Sequence, residues 1–380
     1  RVQKLVQSAF AGKPEDIISQ SVAKALYGEV SPYSATRLER FAACAFAHFL
    51  QYGMKLTERV EYEFKPMDMG NVMHEALESF AEEVRKRGMK WTELTEQERN
   101  EIADRCLDNT VADYGNTVLK SSARNEYMIE RTRRILRRTV WALQKQLEQG
   151  EFQPEGFEVT FGGGRIDRVD IMEDQNKVYV KVIDYKTGNT SFDLVYLYHG
   201  LQLQLMIYLD GALRVEQKKY PDKEIIPAGV FYYNIKDPMI QEKIDADVEA
   251  VSAGLMKELK MNGLAQADPE LVYRMDSSLG SIPVAFNKDG SFRKNSSVAD
   301  RTQFAVLGRY VRTKIEKIRS SILEGDAEVS PYELGKKNAC TYCPYMTVCG
   351  FDRRLSGYEF RRLKNFSDEE LWKAFDREAE

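Results

Sequence analysis

Between Phe157 and Tyr233 the apolar pattern of this chain changes period, and that change restricts the fold more than any other feature. Phe157 to Phe161 reads as a strand, Gly162-Gly163-Gly164 interrupts it, and Arg165 to Met172 alternates again. Val178 to Tyr185 is a third run of the same kind. Strands send alternate side chains to opposite faces, so period-two runs of this length read as strands. From about Tyr198 to Val215 the spacing is helical, and Pro227 to Tyr233 returns to strand character. Three strands, a helix and a further strand describe an α/β chain with a mixed sheet beside helices.

The flanks are helical. Ser34 is placed to cap a helix over about Ala35–Tyr52, with Leu38, Phe41, Ala45, Phe46 and Phe49 inward. Further helices are predicted over about 69–87, 95–118, 125–149, 241–261 and 298–323, and 265–297 reads as an irregular insertion. The chain begins at Arg1, not Met, so it is expected to be a fragment of a longer protein, with 1–30 a leader from an upstream region. Residues 31–380 then form one domain: a helical part (31–150), a catalytic core (151–262), the insertion (263–297) and a C-terminal helix with a cysteine cluster (298–380). With 380 residues, 43% hydrophobic, a sizeable core is within reach. No apolar run is long enough to span a membrane, and no membrane partner is expected.

The strand Val178–Lys186 ends in chemistry. Asp184 and Lys186 share the parity of Val178, Val180 and Val182, so a carboxylate and an ammonium project from one face. Such a pair suits phosphodiester hydrolysis, in which a divalent cation polarises the phosphoryl group and supplies the nucleophile. A cation wants further ligands. Asp167 and Asp170 are three apart and face opposite sides of their strand. Asp167 shares a partly apolar face with Val169 and Ile171, where a carboxylate calls for an explanation, and is preferred. His74 lies on the apolar side of a predicted helix, and Gln204 and Tyr208 are one helical turn apart. Taken singly, each has a plain structural reading: a surface salt bridge, a satisfied histidine, packing.

The five cysteines are an odd number and no secretory signal precedes them, which argues against a disulfide scaffold. Cys340, Cys343 and Cys349 have the spacing of a metal or iron–sulfur site. Cys44 is the preferred fourth ligand, although His48, one turn on, leaves a three-cysteine, one-histidine zinc site open. Cys106 reads as an ordinary half-buried thiol. The formal net charge of −4 announces no nucleic-acid partner, but Arg131, Arg133, Arg134, Arg137 and Arg138 crowd one segment. Arg353, Arg354, Arg361, Arg362 and Lys364 crowd another. Such clusters either track a phosphate backbone or form solvated faces.

Together, Gly164-Arg165-Ile166-Asp167, Ile183-Asp184-Tyr185-Lys186-Thr187-Gly188, Gln204-x3-Tyr208 and Gly70-x3-His74-Glu75 resemble the RecB-type branch of the PD-(D/E)XK nuclease superfamily. Cys44 with Cys340-x2-Cys343-x5-Cys349 resembles its iron–sulfur-stapled members, as found in bacterial AddAB-type helicase–nucleases. The resemblance covers about residues 31–360. It implies a restriction-endonuclease-like core with a helical N-terminal part and a C-terminal iron–sulfur staple. It implies that His74, Asp167 and Asp184 hold one Mg2+ and that Lys186 positions or activates water. Gln204 and Tyr208 would support the site and contact DNA, and Cys44, Cys340, Cys343 and Cys349 would hold a [4Fe–4S] cluster, with zinc the alternative. It further implies exonucleolytic cleavage of the 5′-terminated strand in recombinational break repair, in the bacterial cytoplasm, beside an AddA-type helicase–nuclease partner. The chain has no G-x-x-x-x-G-K-[S/T] phosphate loop, so it is not expected to hydrolyse ATP itself. Two other classes compete: a silent nuclease-fold DNA-binding module and an iron–sulfur redox enzyme.

Overall fold

The computed structural model describes residues 17–28, 34–57, 66–113, 122–162, 164–240 and 247–379. The chain divides into two compact units, each gathered from separate stretches: Glu61–Phe192 with Tyr208–Phe304, and Arg1–Val60 with Asp193–Ile207 and Ala305–Glu380.

The first unit is built on a sheet of six strands in sequence order, β1 (Gln153–Phe161), β2 (Gly164–Asp174), β3 (Lys177–Lys186), β4 (Glu224–Asn234), β5 (Asn262–Gln266) and β6 (Val298–Ala299). β1, β2 and β3 form an antiparallel meander, β3 and β4 are parallel, β4 and β5 antiparallel, β5 and β6 parallel. A parallel pair needs a long crossover, and here it carries the helices Leu194–Tyr198 and Gln204–Lys219. The mixed α/β class expected from the periodicity is the one adopted.

Helices Pro66–Lys86, Glu96–Asp113 and Ala123–Glu148 share one core with the sheet. In the first of them Val72, Met73, Ala76, Leu77, Phe80, Ala81 and Val84 recur every three or four residues and are almost fully buried. Burying such a side chain contributes on the order of 2 kcal/mol, so this stripe fixes which face His74 and its neighbours can present.

The second unit contains helices Gln20–Tyr27 and Ala35–Ala43, the C-terminal helix Asp368–Ala379 and a small sheet of Tyr332–Leu334, Lys337–Asn338 and Arg361–Arg362. Ser34 caps the second helix by accepting from Arg37 N–H at 3.4 Å. Tyr198 and Tyr310 stack at 5.4 Å, and Phe375 closes on both rings edge-on.

Several predicted elements are corrected. The helix expected over Ala35–Tyr52 breaks at Cys44, whose φ of −166° and ψ of 117° are extended. It resumes as Ala45–His48 and a π-turn at Phe49–Gly53. The helix expected over Tyr198–Val215 is two: at Gly200 (φ +78°) the chain turns left-handed, Gly200 N–H donating to Leu197 O and Leu201 N–H to Tyr196 O. The supposedly irregular 265–297 contains the end of β5 and the helix Pro269–Met275, capped by Asp268 with Pro269 at its first position. Of the remainder, Asp276 gathers Ser281, its carboxylate accepting from Ser281 N–H at 2.6 Å and Oγ at 2.7 Å. The helix expected over 241–261 is Val248–Glu258, with 241–246 outside the described residues, as are 114–118 of the helix expected over 95–118. Most of the expected leader and Ser31–Tyr33 also lie outside them.

Candidate functional site

The site in the sheet unit is set by strand register. β2 and β3 pair as Arg168↔Ile183 and Val169↔Val182. One step further on, Asp167 stands across from Asp184. Asp170, three residues from Asp167, emerges on the other face, where its carboxylate is wholly buried against Arg168 (2.6 and 2.9 Å) and Lys181 (3.0 Å). That face is a structural ion network: Arg168 lies 5.5 Å over Trp91, and Lys181 5.1 Å over Phe152.

On the Asp167 face, helix Pro66–Lys86 delivers His74. Its Nδ1 lies 3.4 Å from Asp167 Oδ2 and 3.8 Å from Glu158 Oε1. Tyr185 N–H donates to the same Asp167 oxygen at 2.7 Å, and the Tyr185 ring meets the imidazole edge-on. Lys186 Nζ is 2.7 Å from Asp184 Oδ2 as an ion pair, while that oxygen has no well-directed hydrogen bond.

The electrostatics ask for a cation. Burial first, and then the charge of Asp184, push the Asp167 carboxyl well above the usual carboxylate range. Burial also raises Asp184, against the pull of Lys186. His74 is pushed up despite its burial, because Glu158, Asp167 and Asp184 surround it. Donor atoms of His74, Glu158 and Asp167 lie within 4.8 Å of one another, the one such trio among the described residues. Oxygen and imidazole donors at this spacing fit a hard divalent ion.

The trio differs from the sequence reading in one member. Asp184 lies outside it, turned to Lys186, and Glu158 stands inside it. Glu158 was missed because a glutamate on a half-exposed strand is unremarkable by itself. A signal was present: β1 and β2 pair Phe161 with Gly164 and Phe157 with Arg168, which sets Glu158 across from Asp167.

Gln204 opens its helix, its backbone N–H and that of Leu203 donating to Glu39 Oε1 at 2.9 and 2.7 Å. Tyr208, one turn on, is buried edge-on against Phe161 at 5.9 Å and lies beside Gly164. There a β-carbon on Gly164 (φ +147°) would approach the Tyr208 ring to 3.6 Å.

In the second unit Cys44, Cys340, Cys343 and Cys349 line one pocket walled by Phe46, Tyr345 and Phe351. The helix break at Cys44 is held by Phe46 N–H, which donates to Glu328 O at 2.9 Å. Burial and the three neighbouring thiols push Cys340 up to about 12. Arg40 Nη2 lies 3.9 Å from Cys343 Sγ, and Phe351 N–H points at Cys349 Sγ at 3.5 Å. His48 is engaged elsewhere, Nε2 accepting from Arg37 Nε at 3.3 Å among Tyr27, Phe41 and Tyr52. Cys106 is buried in its helix, burial pushing its thiol up to about 11.

Both basic clusters are paired in part with carboxylates. Arg133 and Arg137 pair with Asp104, and Arg134 pairs with Asp237 at 2.6 Å. Arg354 pairs with Asp352, and Lys364 with Glu370. No helix among the described residues is long and apolar enough to cross a membrane.

Comparison with known proteins agrees with this geometry. Three relatives are named as the B subunit of an ATP-dependent helicase/deoxyribonuclease. That of Lachnoclostridium phytofermentans is 42% identical over 100% of this chain and 34% of its own length. That of Thermoanaerobacter sp. is 34% identical over 100% of this chain and 35% of its own. That of Clostridium acetobutylicum is 35% identical over 96% of this chain and 33% of its own. The chain thus spans about a third of the length of these curated relatives. A model of the PD-(D/E)XK nuclease superfamily matches residues 32–350, which takes in the carboxylate–histidine site and all four pocket cysteines, and the chain belongs to that superfamily.

Proposed function

We propose that this chain is the nuclease domain of an AddB-type protein, a Mg2+-dependent deoxyribonuclease working with an AddA-type helicase–nuclease partner. The observation that carries the reading is the convergence of His74, Glu158 and Asp167 beside the Asp184–Lys186 pair.

His74, Asp167 and Asp184, with Glu158 added, would hold the ion. When bound, Mg2+ polarises a phosphoryl oxygen and makes water a competent nucleophile at neutral pH. The chain's own groups do the rest. Tyr185 N–H holds the Asp167 carboxylate in place. Lys186, partly exposed, offers its ammonium to an attacking water or a phosphate oxygen. Gln204 and Tyr208 brace the site and contact DNA in this reading. Cleavage of the 5′-terminated strand during recombinational break repair, in the bacterial cytoplasm, follows from the likeness to the helicase/deoxyribonuclease relatives.

The four cysteines suit a [4Fe–4S] cluster. A single tetrahedral zinc holds its sulfurs about 3.8 Å apart. No three cysteine sulfurs fall within 4.8 Å of one another among the described residues. The wider spacing, apolar walls and N–H···S contact at Cys349 support a bulkier cluster.

The test is cleavage of end-labelled duplex and single-stranded DNA with Mg2+ or Mn2+, comparing the chain with Asp184→Asn. Cleavage by the parent and none by the variant supports the assignment. Equal cleavage by both refutes it.

A further inference from the structure

Glu158 has an unusual backbone. Its φ is +48°, in the left-handed region that costs a non-glycine residue about 1 kcal/mol or more, in the middle of β1. A bulge between Pro154 and Gly156 lies just upstream. The side chain delivered by this strained position is 8% exposed and has its two oxygens in different company. Oε1 faces His74 Nδ1 at 3.8 Å, and Oε2 is 2.5 Å from Arg165 Nε. Arg165 lies two residues before Asp167 on β2, so it rises from the same face, diagonal to Glu158. Its side chain is 64% exposed, so Arg165 is the half of the pair that solvent and ligands can reach. A second acid, Glu78, lies one helical turn beyond His74, and both Glu158 and Arg165 act on it.

We propose that Arg165 is a phosphate-sensitive latch on Glu158, coupling capture of the DNA backbone to cation binding. The proposal rests on the nuclease reading above and adds a residue and a regulation to it. Without DNA, the guanidinium draws off part of the carboxylate's charge and weakens it as a cation ligand. A phosphodiester at the rim offers Arg165 a charge-assisted, bidentate partner. Arg165 then turns outward, and the full charge of Glu158 returns to His74 and Asp167. DNA and cation thereby raise each other's affinity, as linkage requires.

The test is Mn2+ binding to the purified 380-residue chain without DNA, read by calorimetry or by loss of the free-ion resonance. Arg165→Ala and Arg165→Gln are expected to tighten Mn2+ binding about twofold to fivefold, the range for loss of a partly exposed ion pair. The same variants should bind a duplex end more weakly in EDTA, with the salt dependence reduced by about one ion. In the Glu158→Gln background, Arg165→Ala should no longer tighten Mn2+. An ion pair that only braces Glu158 as a ligand predicts the opposite sign, and weaker or unchanged Mn2+ binding in Arg165→Ala overturns the latch alone. A parent chain that takes up no Mn2+ overturns the nuclease reading and the latch with it.

Discussion

The carboxylate–histidine site and the four-cysteine pocket are both clusters of donor atoms, but the chain makes them by opposite means. The first stands on three long strands and a helix, and strand register leaves each of its carboxylates one possible face. Its donors are hard, and three of them, Asp167, Asp184 and Glu158, repel one another. Burial of the two aspartates makes that repulsion expensive. The second is made where regular structure stops: at a helix break, in a loop and on a four-residue helix. Its donors are soft and come from residues nearly 300 positions apart, Cys44 and Cys340 to Cys349. The difference teaches that a strand site is rigid and strained by its own register, whereas a loop site, if it holds a cluster, would draw part of its stability from it. Loss of ligand should therefore touch activity in one place and stability in the other.

The sharpest way to break that contrast is Cys44→Ser. If a cluster staples this loop of about 300 residues, releasing one end costs on the order of 5 kcal/mol by the loop-closure argument. Visible absorbance near 400 nm should disappear from an anaerobic preparation, and the denaturation midpoint should fall well below that of the parent. An unchanged midpoint would place the cysteines outside the stability of the fold.

Next in size is Asp184→Asn. If Asp184 helps to hold the cation, its loss should lower DNA cleavage about a thousandfold, or about 4 kcal/mol of barrier. The midpoint should hold or rise, because a repelling buried charge is gone. Unfolding of this variant would erase the distinction drawn between the sites.

Glu158→Gln should cost about tenfold in cleavage at limiting metal and less at saturating metal, read as a shift in the metal dependence of the rate. A rate independent of Glu158 at every metal concentration would return the site to the three expected ligands.

The smallest effect concerns the remaining thiol. Burial raises Cys106 to about 11 in the folded chain, against an ordinary value of 9.0. Between these values the unfolded chain has lost a proton that the folded chain still holds. Stability from this group is therefore complete below pH 9 and declines as pH rises toward 11, by up to about 1.4 kcal/mol per pH unit. Cys106→Ala should be less stable at neutral pH, from its cavity, and show a shallower alkaline decline in urea titrations. An identical slope would mean that the thiol is not buried.

Much of the sheet was legible because its signal is local. Val178, Val180 and Val182 announce β3, and parity alone carries Asp184 and Lys186 to one face. The same parity separates Asp167 from Asp170, and the buried ion network at Asp170 shows why the two cannot trade places. Ser34 was legible as a cap because a cap acts within one turn. The break at Cys44 was not, since Ala35 to Tyr52 has acceptable helical spacing throughout. It is made by Phe46 N–H taking Glu328 O, a partner 282 residues away, as its acceptor. The arginine clusters could not be weighed from the sequence for a related reason: composition counts positive charges, but Asp104 and Asp237 are brought to them by folding.

By itself, the sequence determined the strand order of chemistry in this protein: which residue types lie at the end of β3, which carboxylate of β2 can face them, and which cysteines are spaced to share a ligand. Those are consequences of a period of two and of short spacings, which survive any tertiary arrangement. Only the tertiary structure decided that Glu158 joins His74 and Asp167, that Asp184 turns to Lys186, and that a predicted helix opens at Cys44. Each of these depends on a partner distant in sequence or on a backbone angle that neighbouring residues do not dictate, and such contacts exist only once the core has closed.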